Sequence, residues 1–112
     1  MEPLIVLVTA SSAEEASRIA QALVEEHLAA CVNVIAGLRS TYRWQGAVEH
    51  ADEWLLVIKS ARHLLPDLEA RVRALHSYTV PEVIALDVTG GAAPYLRWLE
   101  EQIRPAPGSD RG

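Results

Sequence analysis

Leu4-Ile-Val-Leu-Val8 and Trp54-Leu-Leu-Val-Ile58 carry large apolar side chains on both parities of an extended chain. Successive side chains of a strand point to opposite faces, so a sheet built from these runs is apolar on both. Helices of the same chain can close one face. Leaving the other in water would forgo roughly 1.5–3 kcal/mol for each large side chain. Four such residues approach the whole stability of a small domain, about 5–15 kcal/mol. The second face therefore needs a cover, and another copy of the chain is the simplest one. The competing lid, a last helix of about ten residues, is short for a four-stranded sheet.

The elements follow from periodicity and punctuation. Leu4 to Thr9 reads as a buried strand between Pro3 and Ser11-Ser12. Ser11 with Glu14 and Ser12 with Glu15 both fit a capping box, and Ala16, Ile19, Ala20, Leu23 and Leu28 recur at helical spacing to about His27. Cys31 to Ile35, continued by Arg39 to Trp44, and Glu49 to Lys59 form a long hairpin about Gln45-Gly46. Leu64, Leu65, Leu68, Val72 and Leu75 give a second helix opened near Pro66. Val80 to Val88 is a fourth strand, and Pro94 to about Ile103 a third helix with Tyr95 and Trp98 on its apolar face. The order β-α-β-β-α-β plus a helix is the ferredoxin-like pattern, an α+β fold with one antiparallel sheet and helices on one face. Residues 1–103 read as one domain, and 104–112 as a disordered tail.

Composition narrows the function. At 112 residues and half apolar, the chain has material for one core. Its formal charge of −5, with both signs interspersed, offers no basic patch for nucleic acid. No apolar stretch approaches the roughly 20 residues that span a membrane. A lone cysteine and the lack of a leader pattern predict a cytoplasmic protein. Gly-x-Ser-x-Gly, Cys-x-x-Cys and His-Glu-x-x-His are all missing, and Ser11-Ser12 has no Gly-rich loop beside it, so no catalytic constellation emerges.

Several residues ask for partners. Glu53, Lys59 and Glu82 are charges in or beside apolar strands, where an unpaired charge is expensive. They fit an intersubunit salt bridge that fixes register, or a cleft that captures a small ion. Tyr42 and Trp44 near the hairpin tip fit a subunit interface, where aromatics are enriched, and Trp54 is assigned with them. Cys31, a soft metal ligand by chemistry, sits beside Ala29, Ala30 and Val32 as a buried thiol would. His76 could ligate a metal or titrate near neutrality, or be a loop histidine satisfied near Ser77 and Tyr78. His27, His50 and His63 read as solvated.

Taken together, Leu28-Ala-Ala-Cys-Val-Asn33, Tyr42-Arg-Trp44-Gln-Gly46, Glu53 with Lys59, His76-Ser-Tyr78 followed by Val80-Pro-Glu82, and Tyr95-Leu-Arg-Trp98 resemble the CutA family of divalent-cation-tolerance proteins, from about Leu4 to Ile103. The resemblance implies a tight homotrimer with hairpins reaching to neighbours, an architecture like that of the PII signalling proteins, and a response to copper or other divalent cations. It also implies an intersubunit cleft near Lys59, Tyr78, Glu82 and Glu53, where a PII-like trimer would hold a small molecule or partner protein. The family's metal-linked pattern looks like a Cys at the end of the first strand and a His-His pair before the Tyr. Here Val8 and Leu75-His76 stand in those places, leaving His76 and Cys31 as candidate ligands. Transition metals usually take three or four protein ligands.

Overall fold

The computed structural model describes residues 1–108; the last four residues of the expected tail, 109–112, lie outside the described residues. β1 (Pro3–Ala10), β2 (Cys31–Trp44), β3 (Ala47–Ala61) and β4 (Ile84–Asp87) form one antiparallel sheet in the order β2-β3-β1-β4. α1 (Ala13–Glu25), α2 (Leu65–Leu75) and α3 (Ala93–Gln102) complete the α+β ferredoxin-like fold expected from the sequence. A 3₁₀ turn over Arg62–Leu64 leads into α2, with Pro66 in the first turn, where a missing N–H costs nothing.

Register decides the faces. Leu4, Val6, Val8 and Ala10 of β1 lie opposite Ser60, Ile58, Leu56 and Trp54 of β3. This even-numbered set packs with Ala16, Ile19 and Leu23 of α1 and Leu68 and Val72 of α2 in one buried cluster, with Trp54 at its margin. Ser60 is polar but satisfied, donating to the Leu28 carbonyl at 2.7 Å. The odd-numbered set Ile5, Leu7, Leu55 and Val57, with Ile84 and Leu86 of β4, forms the other face; the first four are partly buried in the single chain, and Ile84 and Leu86 are about half exposed. α3 does not cover it. Leu99 and Ile103 join the helix-side cluster instead.

Several expectations change on inspection. β4 is half its expected length because Val80 to Val83 takes no ladder position: pairing with β1 ends at Leu7 opposite Ile84, and Pro81 has no N–H to give. Only one capping box position forms, and only half of it. Ser12 Oγ accepts from the Glu15 N–H at 3.1 Å, a cap worth about 1 kcal/mol, while the Glu15 side chain turns into the core. Tyr95 and Trp98 touch each other, ring centroids 5.5 Å apart, but face outward, since Leu99 and Ile103 hold the buried side of α3. Of the three histidines read as solvated, His27 and His50 are exposed as expected, and each of the three also has a partner: His27 Nδ1 meets the Gln102 carbonyl at 2.9 Å, His63 Nε2 the Arg104 carbonyl at 2.7 Å, and His50 the Thr41 hydroxyl at 2.9 Å. Arg104 also donates to the carbonyls of His27 and Glu26, so the chain is tied to the domain one residue past Ile103.

The hairpin holds one feature that alternation alone could not give. Ile35 lies opposite Leu55 but Leu38 opposite Glu53, so Ala36 and Gly37 together face Trp54 alone. Gly37, at φ 82°, takes the left-handed conformation that such a bulge needs. The extra residue switches the parity of β2. As a result Leu38, Ser40, Tyr42 and Trp44 lie on the same face as Cys31, Asn33 and Ile35. Arg39, Thr41 and Arg43 go to the other face with Asp52, His50 and Val48. The turn closes with Gln45 and Gly46 at φ 50° and 82°, the paired positive values of a type I′ turn, whose twist matches that of the strands.

Candidate functional site

Three of the residues expected in a cleft meet at one end of the sheet. β3 brings Glu53 there, beyond the last β1 pair at Ala10 opposite Trp54. The segment that leaves α2 brings Tyr78 and Glu82. The Tyr78 hydroxyl donates to Glu53 Oε2 at 2.8 Å, and the Glu53 carboxylate is otherwise buried. Burial and the Glu53 carboxylate together push the Tyr78 phenol up to about 12. Glu82 is raised above the ordinary carboxylate range by partial loss of solvent and by the charge of Glu53. This is an acidic patch with no ion pair to Glu53 or Glu82 among the described residues.

Lys59 is elsewhere. It lies six positions along β3 from Glu53, about 20 Å in an extended strand. It faces Cys31 across the ladder and donates to Asn33 Oδ1. Within one chain, then, Glu53, Tyr78 and Glu82 come together without Lys59.

His76 is built in from every side. Its side chain has no exposure; Nε2 donates to the Thr9 carbonyl at 2.6 Å, and Nδ1 accepts from the Tyr78 N–H at 3.0 Å. Its ring lies 4.6 Å from that of Tyr78. Both nitrogens are therefore engaged, and Cys31 pairs with Lys59 while Thr9 pairs with Leu55, four positions away on β3. His76 and Cys31 are not brought together. Among the described residues no group of three or more His, Cys, Asp and Glu is placed to hold a metal ion.

The aromatics divide. Tyr42 and Trp44 stand 41% and 47% exposed on the hairpin, available to something outside the chain. Trp54, expected with them, packs against the helix-side cluster, because its even parity puts it beside Ala10 and Leu56. A shallow groove of about 360 Å³ between α1 and β2 is lined by Ala20, Val24, Val32 and Val34 and does not include Glu53, Tyr78 or Glu82. Sequence reasoning missed Glu15. Its spacing from Ser12 was read as a cap, and only the fold shows it buried beside His76.

The site makes a direct prediction. Glu53→Gln removes the charge that opposes ionisation of Tyr78, so the phenol should titrate closer to the ordinary value near 10. Ultraviolet difference absorbance of the phenolate reads this; an unmoved midpoint would mean Glu53 has no hold on Tyr78. The sign for stability follows. A folded-state value raised to about 12 contributes stability that is present below pH ~10 and lost as pH rises through about 12.

What fold and site define is a ferredoxin-like α+β domain with an apolar sheet face that its helices leave uncovered, and an acidic patch in which Tyr78 donates to Glu53. Residues 4–102 match the family model described as CutA1 divalent ion tolerance protein, and the chain belongs to that family. The chain is 55% identical to the divalent-cation tolerance protein CutA of Thermus thermophilus, over 87% of this chain and 94% of that one. It is 46% identical to the chloroplastic protein CutA of Arabidopsis thaliana, over 90% of this chain but 56% of that longer one. The crystal structure of CutA1 from Oryza sativa superposes with a TM-score of 0.91 at 43% identity, over 93% of this chain and 95% of that one.

Proposed function

We propose that the chain serves divalent-cation tolerance as a cytoplasmic, non-catalytic homotrimer. The observation that carries this is the single apolar face running from Ile84 and Leu86 through Ile5, Leu7, Leu55 and Val57 to Ile35, Leu38, Tyr42 and Trp44, kept continuous by the bulge at Ala36-Gly37. Ile84, Leu86 and Ile35 are 51%, 50% and 48% exposed in the single chain, a surface that monomers rarely leave in water. The same face bears Lys59 near one end and Glu53 in its middle, just past the last pair with β1. A cyclic trimer uses heterologous contacts, in which one patch meets a different one. Such a contact would set Lys59 of one subunit against the acidic end of the next and restore the full cleft. The non-catalytic reading is supported by how the hydroxyls are used: Ser12 caps a helix and Ser60 holds a carbonyl.

Sedimentation equilibrium at micromolar concentration should return three times the chain mass, and a monomer mass would end the reading. Titration of the assembled protein with copper(II) tests the cation arm, and saturable heat is expected. Because His76 is fully engaged inside the chain, His76→Ala should leave that isotherm unchanged unless the fold itself is lost. A second reading, a PII-like trimer holding a small molecule in the cleft, is favoured by the unneutralised Glu53 and Glu82. A ligand at 100 times its dissociation constant would add about 2.7 kcal/mol of stability, visible in a thermal-shift screen.

A further inference from the structure

Two apolar patches of this chain lie away from the odd-numbered sheet face, and one is hollow where the other projects. The hollow is the groove of about 360 Å³ between α1 and β2, where Val24 and Val34 stand 41% and 40% exposed. The projection is the pair Tyr95 and Trp98 of α3, with ring centroids 5.5 Å apart and exposures of 45% and 40%, turned away from the core that Leu99 and Ile103 reach. Neither ring lines the groove of its own chain.

The two patches stand at the same level of the sheet. Leu4 lies opposite Ser60 and Asp87, and Cys31 opposite Lys59, so β1 and β2 start where β3 and β4 end. The groove is at that end, on the later turns of α1 and the first residues of β2. So is the end of α3, because His27 and His63 hold the carbonyls of Gln102 and Arg104. β2 and β4 are the two free edges of the sheet; the groove lies on β2, and α3 follows β4. A ring that turns each odd-numbered face toward its axis brings the β2 side of one subunit to the β4 side of the next. Groove and aromatic pair then meet.

We propose that Tyr95 and Trp98 of one subunit seat in the groove between α1 and β2 of the next, so that α3 clasps the ring. This rests on the trimer reading above and adds a second contact to it. β2 makes the two contacts continuous, since Ile35 points to the sheet interface and Val34 beside it to the groove. The charges are complementary as well. Arg97, next to Trp98, is exposed and has no ion pair among the described residues. Glu25 in the groove wall receives the Gln21 amide and no cation among those residues. Two aromatic side chains cover roughly 150–250 Å² each, short of the roughly 800 Å² per partner of a stable interface. The clasp therefore tightens a ring that the sheet faces close; it does not hold two copies by itself.

Loss of the clasp should leave three chain masses at micromolar concentration and show instead in how fast subunits exchange. Trp98→Ala and Val34→Asp both change exposed side chains, and far-UV circular dichroism verifies that each variant folds. Exchange between donor-labelled and acceptor-labelled assemblies, read by resonance energy transfer, should be at least about tenfold faster in each variant than in the wild type. Residues that never meet act additively. Because these two meet across the subunit boundary, the double variant should exchange little faster than the faster single one. A wild type that sediments as a monomer would overturn the trimer and the clasp with it. Three chain masses with exchange unmoved by Trp98→Ala, or with effects that multiply in the double variant, would overturn the clasp alone.

Discussion

Leu7→Asp is expected to convert the assembly into folded monomers. Leu7 lies on the central strand, opposite Val57 on one side and Ile84 on the other, in the middle of the uncovered face. In a free chain its side chain is only half-buried, so an aspartate there still reaches water and the helix-side core is undisturbed. Inside a subunit interface the same carboxylate would be buried without a partner, at a cost of several kcal/mol per subunit. Sedimentation equilibrium should therefore drop from three chain masses to one, while far-UV circular dichroism is retained. Val24→Asp in the groove beside α1, equally apolar but off the proposed interface, should leave the mass unchanged. An assembled Leu7→Asp protein would show that the face is covered by something else or not at all.

The sequence was most readable where information is local. Element order, the Ser12 cap, the Gln45-Gly46 turn and the two-sided strands each rest on neighbours in the chain, and each is present. What failed depended on register between distant segments. The parity switch at Ala36-Gly37 is invisible to alternation counted along one strand, because it is defined by which β3 residues lie opposite. The same register puts Trp54 on the helix side and separates Lys59 from Glu53. Glu15 illustrates the other limit. A carboxylate three positions after a serine has a local partner by rule, yet burial against His76 took precedence once α2 delivered that ring to the end of β1. The site was thus half legible: of the charges expected together Glu53 and Glu82 lie near each other but Lys59 stays apart, and of the two roles open for His76 the hydrogen-bonded one beside Tyr78 is present.

Leu56→Ala and Leu55→Ala, adjacent on β3, should separate the core of the fold from the proposed core of the assembly. Leu56 is fully buried between Val8 and Val34 beneath the helices. Truncating it leaves a cavity in a close-packed interior and should cost about 2–5 kcal/mol. That is a large share of the stability of a domain this size. The loss belongs to the single chain, so the shift in denaturant midpoint relative to the wild type should be the same at high and low protein concentration. Leu55 points the other way and is only partly buried in the chain. Its truncation should cost the monomer little, while an interface that covers it would lose contacts in every subunit. Stability linked to association varies with protein concentration, so the Leu55→Ala deficit should change on dilution. If both variants lose the same amount at every concentration, the odd-numbered face contributes nothing beyond the chain it belongs to.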